Sequence, residues 1–120
     1  MTWKIDKSKP VCPQLAEQIS AAIACGAFKP NEKLSSVREI AVEAGVNPNT
    51  VQKTFESLES DGLVYSVRGT GWFVSENSDV SAKWKKEITK EKTDLFFSQM
   101  ISIGYTVPEI KKIVEEYEYE

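Results

Sequence analysis

One stretch of the chain decides its fold: residues 36–63, which read SVREIAVEAGVNPNTVQKTFESLESDGL. This stretch predicts two short helices joined by a tight turn. Ser36, followed three positions later by Glu39, is typical of a capping box. In that motif the hydroxyl accepts from an amide of the first turn, while the carboxylate accepts from the amide of the capping residue. Gly45 stands where the first helix must end.

The second helix of the pair has its own start signal. Asn47 supplies a side-chain acceptor at the N-cap, and the ring of Pro48 suits the first helical turn. Each helix also carries one apolar side at helical spacing. The apolar positions are Val37, Ile40, Ala41 and Ala44 in the first helix, and Val51, Phe55 and Leu58 in the second. Two short amphipathic helices around a glycine turn are typical of the helix-turn-helix of DNA-binding proteins.

The flanking residues complete a winged helix. An ordered arm is expected at residues 4–11, and an apolar stripe at residues 15, 19 and 23 predicts a helix over residues 13–24. After Gly62 the residues become β-rich, so residues 63–67 and 71–74 predict a hairpin with a glycine-bearing tip. Three helices closed by a two-stranded β wing form a winged helix-turn-helix of the α+β class. We assign it to residues 1–75.

A two-helix appendage is predicted over residues 76–120, after a polar boundary at residues 75–79. A long helix over residues 80–103 precedes a second helix, which begins at a Thr106–Glu109 capping box. Two helices cannot bury two apolar stripes by themselves, so we expect a second copy to cover them. Packing back onto the winged domain is the alternative. The predicted dimer interface consists of Trp84, Ile88, Leu95, Phe96, Met100, Ile103, Ile110, Ile113, Val114 and Tyr117.

Charge and composition narrow the class of protein. The 120 residues are 41% hydrophobic, 28% charged and carry a net charge of −3. Residues 1–75 hold eight cationic and eight acidic side chains, so all of the excess acidity lies downstream. Any affinity for DNA must therefore come from a local basic patch and depend strongly on salt. No apolar run is long enough to cross a membrane and no signal peptide is recognisable, which predicts a cytoplasmic protein.

Catalytic and metal-binding motifs are missing from the sequence. It contains no histidine, no Cys-x-x-Cys pair and no phosphate-binding glycine motif, so we predict no enzyme, no metal and no cofactor. Cys12 and Cys25 flank the first predicted helix, which would hold them about 20 Å apart. That separation is beyond the reach of a disulfide, and we interpret both as small packing residues.

Several motifs fall in order between residues 10 and 74. They are PVCPQL (10–15), Ile19, Ile23, Gly26, Pro30, LSSVREIA (34–41), VNPNTV (46–51), Leu58, Gly62, Leu63 and GTGWFV (69–74). Together they resemble the winged helix of the GntR family, and the short helical appendage resembles the YtrA subfamily. The resemblance implies a bacterial transcription regulator, usually a repressor and often of a transporter operon, that dimerises through its appendage.

Four positions depart from the family pattern. Asn31 replaces the usual glycine after Pro30, and Ser35 stands where proline is common. Cys12 occupies a position that is usually aromatic. Pro48 stands where many relatives outside this subfamily carry an arginine, so one familiar base contact is not expected here.

The candidate DNA-binding residues lie in three places. The first turns of a recognition helix meet base edges, which selects Asn47, Asn49, Thr50, Gln52 and Lys53. Amide side chains suit adenine, lysine suits guanine or phosphate, and capping is the main role expected of Asn47. The preceding helix offers Ser36, whose adjacent amides suit a phosphate, and Arg38, which the resemblance assigns to DNA contact. The wing tip offers Arg68, Gly69, Thr70 and Gly71, suited to the minor groove.

The predicted function is sequence-specific binding of double-stranded DNA, at a palindromic operator, by a homodimeric repressor. An unidentified small-molecule effector is left open. The main alternative is a winged helix that binds a protein partner and never touches DNA. A further alternative is a small-molecule sensor whose ligand lies among Trp84, Phe96, Phe97 and Tyr117, although those aromatic side chains suit a dimer core better.

Overall fold

The computed structural model describes the whole chain, Met1–Glu120, with five helices and two strands. Their order matches the predicted winged helix-turn-helix followed by two further helices. The elements are α1 (Val11–Ala24), α2 (Val37–Ala44), α3 (Pro48–Ser60), β1 (Val64–Val67), β2 (Gly71–Val74), α4 (Ser78–Ser102) and α5 (Val107–Glu116). Strands β1 and β2 pair antiparallel, which forms the wing.

The chain divides into two compact units, residues 1–85 and residues 86–120, called here the head unit and the tail unit. Our sequence-based boundary lies about ten residues earlier, in the polar segment at 75–79. The difference arises from the first turns of α4, because Val80 and Trp84 pack against the core of the head unit. Sequence polarity marks where α4 begins, whereas the division between the units follows the packing of its first turns.

Local signals at the ends of α2 behave as the sequence predicts. The Ser36 hydroxyl accepts from the Glu39 amide at 3.1 Å, and the Glu39 carboxylate accepts from the Ser36 amide at 3.1 Å. The hydrogen bond that the Ser36 amide donates to the Glu39 carboxylate, followed by a smaller contribution from the Ser36 side chain, holds the pKa of this carboxyl below its usual value. Gly45 ends the helix in the left-handed conformation, with φ 68°, where a side chain would cost about 1–2 kcal/mol.

The core of the head unit is built from all three helices and from both strands of the wing. Its largest fully buried side chain is Phe55 of α3, whose ring stacks on Trp72 of β2 with centroids 5.1 Å apart. The buried cluster consists of Leu15, Ile19, Leu34, Ile40, Ala41, Val51, Phe55, Leu58, Leu63, Val64 and Val74. This single core fixes α3 and the wing to the same support.

Residues 25–36 connect α1 to α2 and contain no helix and no named strand. The backbone of residues 31–34 is hydrogen-bonded alongside β2, with one isolated antiparallel bridge between Lys33 and Phe73. The amide of Asn31 donates to the carbonyl of Val74 at 2.8 Å, and the amide of Leu34 donates to the carbonyl of Trp72 at 2.8 Å. Asn31 has a φ of 64°, a conformation that asparagine tolerates better than most residues, so it can stand in for the glycine of the family pattern.

The predicted N-terminal arm is ordered, and two glutamines of α1 hold it. The side chain of Gln18 accepts from the Lys4 amide at 3.0 Å and donates to the Lys4 carbonyl at 2.7 Å. Gln14 makes the same pair of hydrogen bonds with Asp6, at 2.8 and 2.9 Å. The backbone of the arm is therefore held against α1 by hydrogen bonds with these two glutamine side chains.

The tail unit contains the predicted second capping box. The Thr106 hydroxyl accepts from the Glu109 amide at 3.4 Å, and the Glu109 carboxylate accepts from the Thr106 amide at 2.9 Å. Ile110, one turn into α5, is fully buried. No helix of the chain combines the length and the apolar composition that a membrane span requires.

Candidate nucleic-acid interface

Helix α3 has a buried side and a polar exposed side, as its sequence predicts. Val51, Phe55 and Leu58 are buried against the core of the head unit, and Thr54 is buried with them. Successive residues are about 100° apart around a helix, so the remaining positions face away from that core. The exposed polar side chains of its first two turns are Asn49, Gln52 and Lys53.

Asn47 is used structurally at the start of α3. Its side-chain oxygen accepts from the Asn49 amide at 2.8 Å, which caps the helix as predicted. The side-chain NH₂ group of Asn47 points to no other partner within the chain and can still donate to a phosphate. Capping and phosphate contact are therefore compatible at this residue.

Two other predicted contacts on α3 are partly engaged within the protein. The Gln52 amide donates to the Glu56 carboxylate at 3.3 Å, one turn further along the helix. Thr50 is half-buried, and its carbonyl accepts from the Thr54 hydroxyl at 2.8 Å. The Gln52 amide therefore keeps one N–H and its oxygen for other partners, whereas Thr50 offers only part of its side chain.

The start of α2 presents a cation beside a cap. The Ser36 hydroxyl is occupied by the Glu39 amide, while Arg38 in the first turn is exposed and makes no ion pair. Arg38 thus forms no surface pair with a glutamate. The guanidinium is free to meet an anion from outside the chain.

The wing tip is a tight turn that carries Arg68 at its apex. The amide of Thr70 donates to the carbonyl of Val67 at 2.9 Å, and Gly69 has a φ of 78°. Arg68, Gly69 and Thr70 are exposed, whereas Gly71 is half-buried. The wing tip therefore places the Arg68 cation next to the backbone of Gly69, which no side chain covers.

The structure adds a cation that our sequence analysis missed. Lys33 forms an isolated antiparallel bridge with Phe73, and its side chain passes Gly71, where an added Cβ would lie 3.4 Å from the Lys33 Cε. Gly71 has a φ of 136°, so a side chain there would be strained as well as crowded. The pairing joins residues 40 positions apart, and no local pattern announces it.

The aromatic residues of the wing pack rather than project. Trp72 stacks on Phe55, and Tyr65 stacks on Phe73 with centroids 5.6 Å apart. The Tyr65 hydroxyl also donates to the Asn31 side chain at 2.9 Å. These contacts identify Trp72 and Tyr65 as packing residues.

The predicted dimer surface is only partly present on the tail unit. Leu95 is 58% exposed and Ile103 71% exposed, and Val114 and Tyr117 are exposed as well. An apolar groove of about 330 Å³ is lined by Phe96, Met100, Ile113, Val114 and Tyr117.

Two residues that we assigned to this surface lie elsewhere. Ile110 has no exposed area, so it forms the interior of the tail unit and offers nothing to a second copy. Trp84 packs against the core of the head unit. Ile88 lies in the tail unit, is half-buried and stays a predicted interface residue. The four aromatic residues of the small-molecule alternative belong to different units. Trp84 is in the head unit, whereas Phe96, Phe97 and Tyr117 are in the tail unit.

The two cysteines are free. Cys12 is half-buried, and its sulfur lies 3.2 Å from the Thr54 hydroxyl oxygen, a contact that joins α1 to α3. Cys25 is exposed at the C-cap of the same helix.

These elements define a winged helix-turn-helix protein, and comparison with known proteins agrees. Residues 13–74 match the family described as bacterial regulatory proteins, gntR family. The HTH-type transcriptional regulator YhcF of Bacillus subtilis is 34% identical over 117 residues, covering 98% of this chain and 97% of YhcF. The HTH-type transcriptional repressor YtrA of the same organism is 34% identical over 109 residues, covering 90% of this chain and 82% of YtrA.

Solved structures agree with the sequence match. A GntR family transcriptional regulator from Listeria monocytogenes has a TM-score of 0.85 at 34% identity, covering 95% of this chain and 100% of that one. The DNA-binding domain of AraR, solved in complex with operator ORR3, has a TM-score of 0.52 at 38% identity, covering 53% of this chain and 77% of that one. This chain belongs to the GntR family of regulatory proteins and is similar to its YtrA-like members.

Proposed function

We propose that this chain is a transcriptional repressor that binds a palindromic operator as a homodimer. The observation that carries the proposal is the exposed polar side of α3 on a rigid support. Asn49 and Lys53 are exposed within the first two turns, while Val51 and Phe55 anchor the same turns in the core. Such a helix can enter the major groove without rearranging.

Each part of the site has a distinct role in this proposal. The start of α3 reads base edges, with Asn49 suited to adenine and Lys53 suited to guanine or phosphate. Arg38 at the start of α2 and the capping residue Asn47 bind phosphates and fix the register. At the wing, Arg68 enters the minor groove, and Lys33, whose side chain passes Gly71, supplies a second cation to the wing.

The tail unit supports the homodimer. The tail unit exposes apolar side chains, and the most accessible of those on or next to α4 are Leu95 and Ile103. These side chains are removed from water only if another surface covers them. A second copy supplies one and also doubles the DNA-binding surface. That YtrA is named a repressor supports repression, and a transporter operon is the target that the family resemblance implies.

Selection from a library of random duplexes by the purified full-length protein tests DNA binding directly. We expect an enriched palindrome, bound with an affinity that falls steeply with salt. Lys53→Ala should weaken binding to that palindrome by about 1–3 kcal/mol and relax the preference at one base position if Lys53 reads guanine. Arg38→Ala should weaken the binding of all duplexes alike.

A matched control distinguishes the loss of a DNA contact from a general loss of positive charge. Lys111→Ala removes one exposed lysine from α5 and should leave the affinity for DNA unchanged. If the wild-type protein bound no duplex at low salt, or if Arg38→Ala and Lys53→Ala bound as tightly as wild type, the protein-interaction alternative would replace this proposal.

A further inference from the structure

The N-terminal arm carries a lysine to the turn of the helix-turn-helix. An added Cβ on Gly45 would lie 3.5 Å from the Lys7 ammonium nitrogen, so this ammonium lies directly beside the residue that ends α2. The two residues are 38 positions apart in the sequence. Lys7 is exposed and makes no hydrogen bond or ion pair within the chain.

The position of Lys7 is fixed by the backbone around it. Asp6 is held to α1 by two hydrogen bonds, one that its amide donates to the Gln14 side chain and one that its carbonyl accepts from that side chain. The Asp6 carboxylate accepts from the Ser8 amide at 3.0 Å and from the Ser8 hydroxyl at 2.6 Å, and the Lys9 amide donates to the Asp6 carbonyl at 3.2 Å. Lys7 therefore lies within a turn that these hydrogen bonds close. The adjacent Asp6 carboxylate already accepts hydrogen bonds from Ser8.

We propose that this arm is an additional DNA-contacting element, in which Lys7 binds a backbone phosphate next to the helix-turn-helix turn. The inference rests on the DNA-binding function proposed above. Gly45 is two residues before Asn47, the cap of the helix that enters the major groove. A lysine held at that turn stands near the groove edge, where phosphates line the path of the helix.

The charge balance of the head unit makes such a contact valuable. Cations and carboxylates are equal in number over residues 1–75, so affinity depends on where the cations lie. Arg38 lies at the start of α2, and Lys7 lies beside its end. The two ends of one short helix would then each carry a phosphate-binding cation.

A purely structural role makes a different prediction. The carbonyls at the end of α2 carry partial negative charge, which an ammonium nearby would stabilise without any DNA. In that case removing the charge would lower the unfolding temperature and leave the salt dependence of binding unchanged.

The salt dependence of duplex binding distinguishes these roles. The probe is a mixed-sequence duplex, together with the duplex selected by the wild-type protein, and the variants are Lys7→Gln and Lys7→Arg. Loss of one phosphate contact in each protomer, two in the homodimer, should lower the slope of log affinity against log salt by about 1.8, so the advantage of wild type over Lys7→Gln shrinks about 12-fold between about 50 and 200 mM salt. Lys7→Arg should restore the slope.

Lys4→Gln is the matched control. It lies on the same arm, but its side chain borders a groove next to Cys25, at the other end of α1. We expect the wild-type slope from it. An unchanged slope in Lys7→Gln, with or without a lower unfolding temperature, would overturn the phosphate contact while leaving the DNA-binding function intact. Failure of the wild-type protein to bind either duplex would overturn both.

Discussion

The ring of Trp72 lies parallel to the ring of Phe55, with centroids 5.1 Å apart and planes 8° from parallel. Phe55 is on the buried side of α3, and Trp72 is in the second strand of the wing. The two elements that we assign to the major and minor grooves are therefore joined by one aromatic stack. This contact contributes to their relative placement, together with the core that they share.

Trp72→Leu tests that coupling. Loss of the stack should lower the free energy of unfolding by about 1–2 kcal/mol, since a stacked pair contributes beyond the area that it buries. Urea unfolding followed by far-UV circular dichroism measures the change. Tyr65→Leu is the control, because Tyr65 stacks on Phe73 at an exposed position. An equal loss in both variants would contradict a special role for the Trp72 contact.

Asn47 offers a way to separate capping from DNA contact. Asn47→Ala should lower the free energy of unfolding by about 1 kcal/mol, because the Asn49 amide loses its acceptor. Asn47→Asp keeps the acceptor and should retain the stability of the wild type, while its negative charge repels phosphate and weakens duplex binding. Thermal unfolding and duplex titration of the same samples measure the two effects. Wild-type affinity in Asn47→Asp would exclude a phosphate near this residue.

Leu95→Asp tests the tail unit as the dimer surface. Leu95 is 58% exposed in the single chain, so a charge there should not unfold the tail unit but should keep two apolar surfaces apart. Sedimentation should give a monomer with weak operator binding. Thr93→Asp places the same charge about 200° around the helix from Leu95 and should remain dimeric. Dimers that survived in Leu95→Asp would exclude this face.

Some features of the fold follow from short-range signals and others do not. The caps at Ser36, Asn47 and Thr106 depend on residues within three positions of one another, and the sequence predicts all three. The place of Lys7 at the turn and that of Lys33 at the wing depend on packing between distant segments. Sequence periodicity carries no information about contacts between segments so far apart in the chain, so the positions of these two lysines could not be predicted from the sequence.

The apolar stripe on α5 shows a second limit of prediction from sequence periodicity. Periodicity finds the positions that avoid water but does not say which are covered by the chain itself. Ile110 and Val114 lie one turn apart on one face, yet Ile110 is fully buried and Val114 is exposed. Only packing within the tail unit separates the interior of the unit from the surface available to a partner.

The capping glutamates should make helix stability depend on pH. The Thr106 amide donates to the Glu109 carboxylate, and this hydrogen bond, with that from the Thr106 hydroxyl, holds the pKa of Glu109 below its usual value. A carboxyl whose pKa is lower in the folded state stabilises fully above the unfolded value of about 4.3, and loses that effect as the pH falls through the folded pKa. Glu109→Gln should lack this component of acid-induced helix loss, as measured by circular dichroism. An identical acid profile in the variant would show that the cap does not titrate in this range.

The spacing of the operator follows from the proposed two-fold axis. Two heads related by such an axis meet the same face of the duplex only when their half-site centres lie about 10 base pairs apart, or a multiple of that distance. Footprinting of the selected duplex should therefore protect two inverted half-sites at such a spacing. Inserting about five base pairs between them turns one half-site to the opposite face and should reduce the affinity to that of a single head. A footprint over one unpaired half-site, or tolerance of the insertion, would contradict the symmetric dimer, because a rigid pair of heads cannot follow a half-turn of the helix.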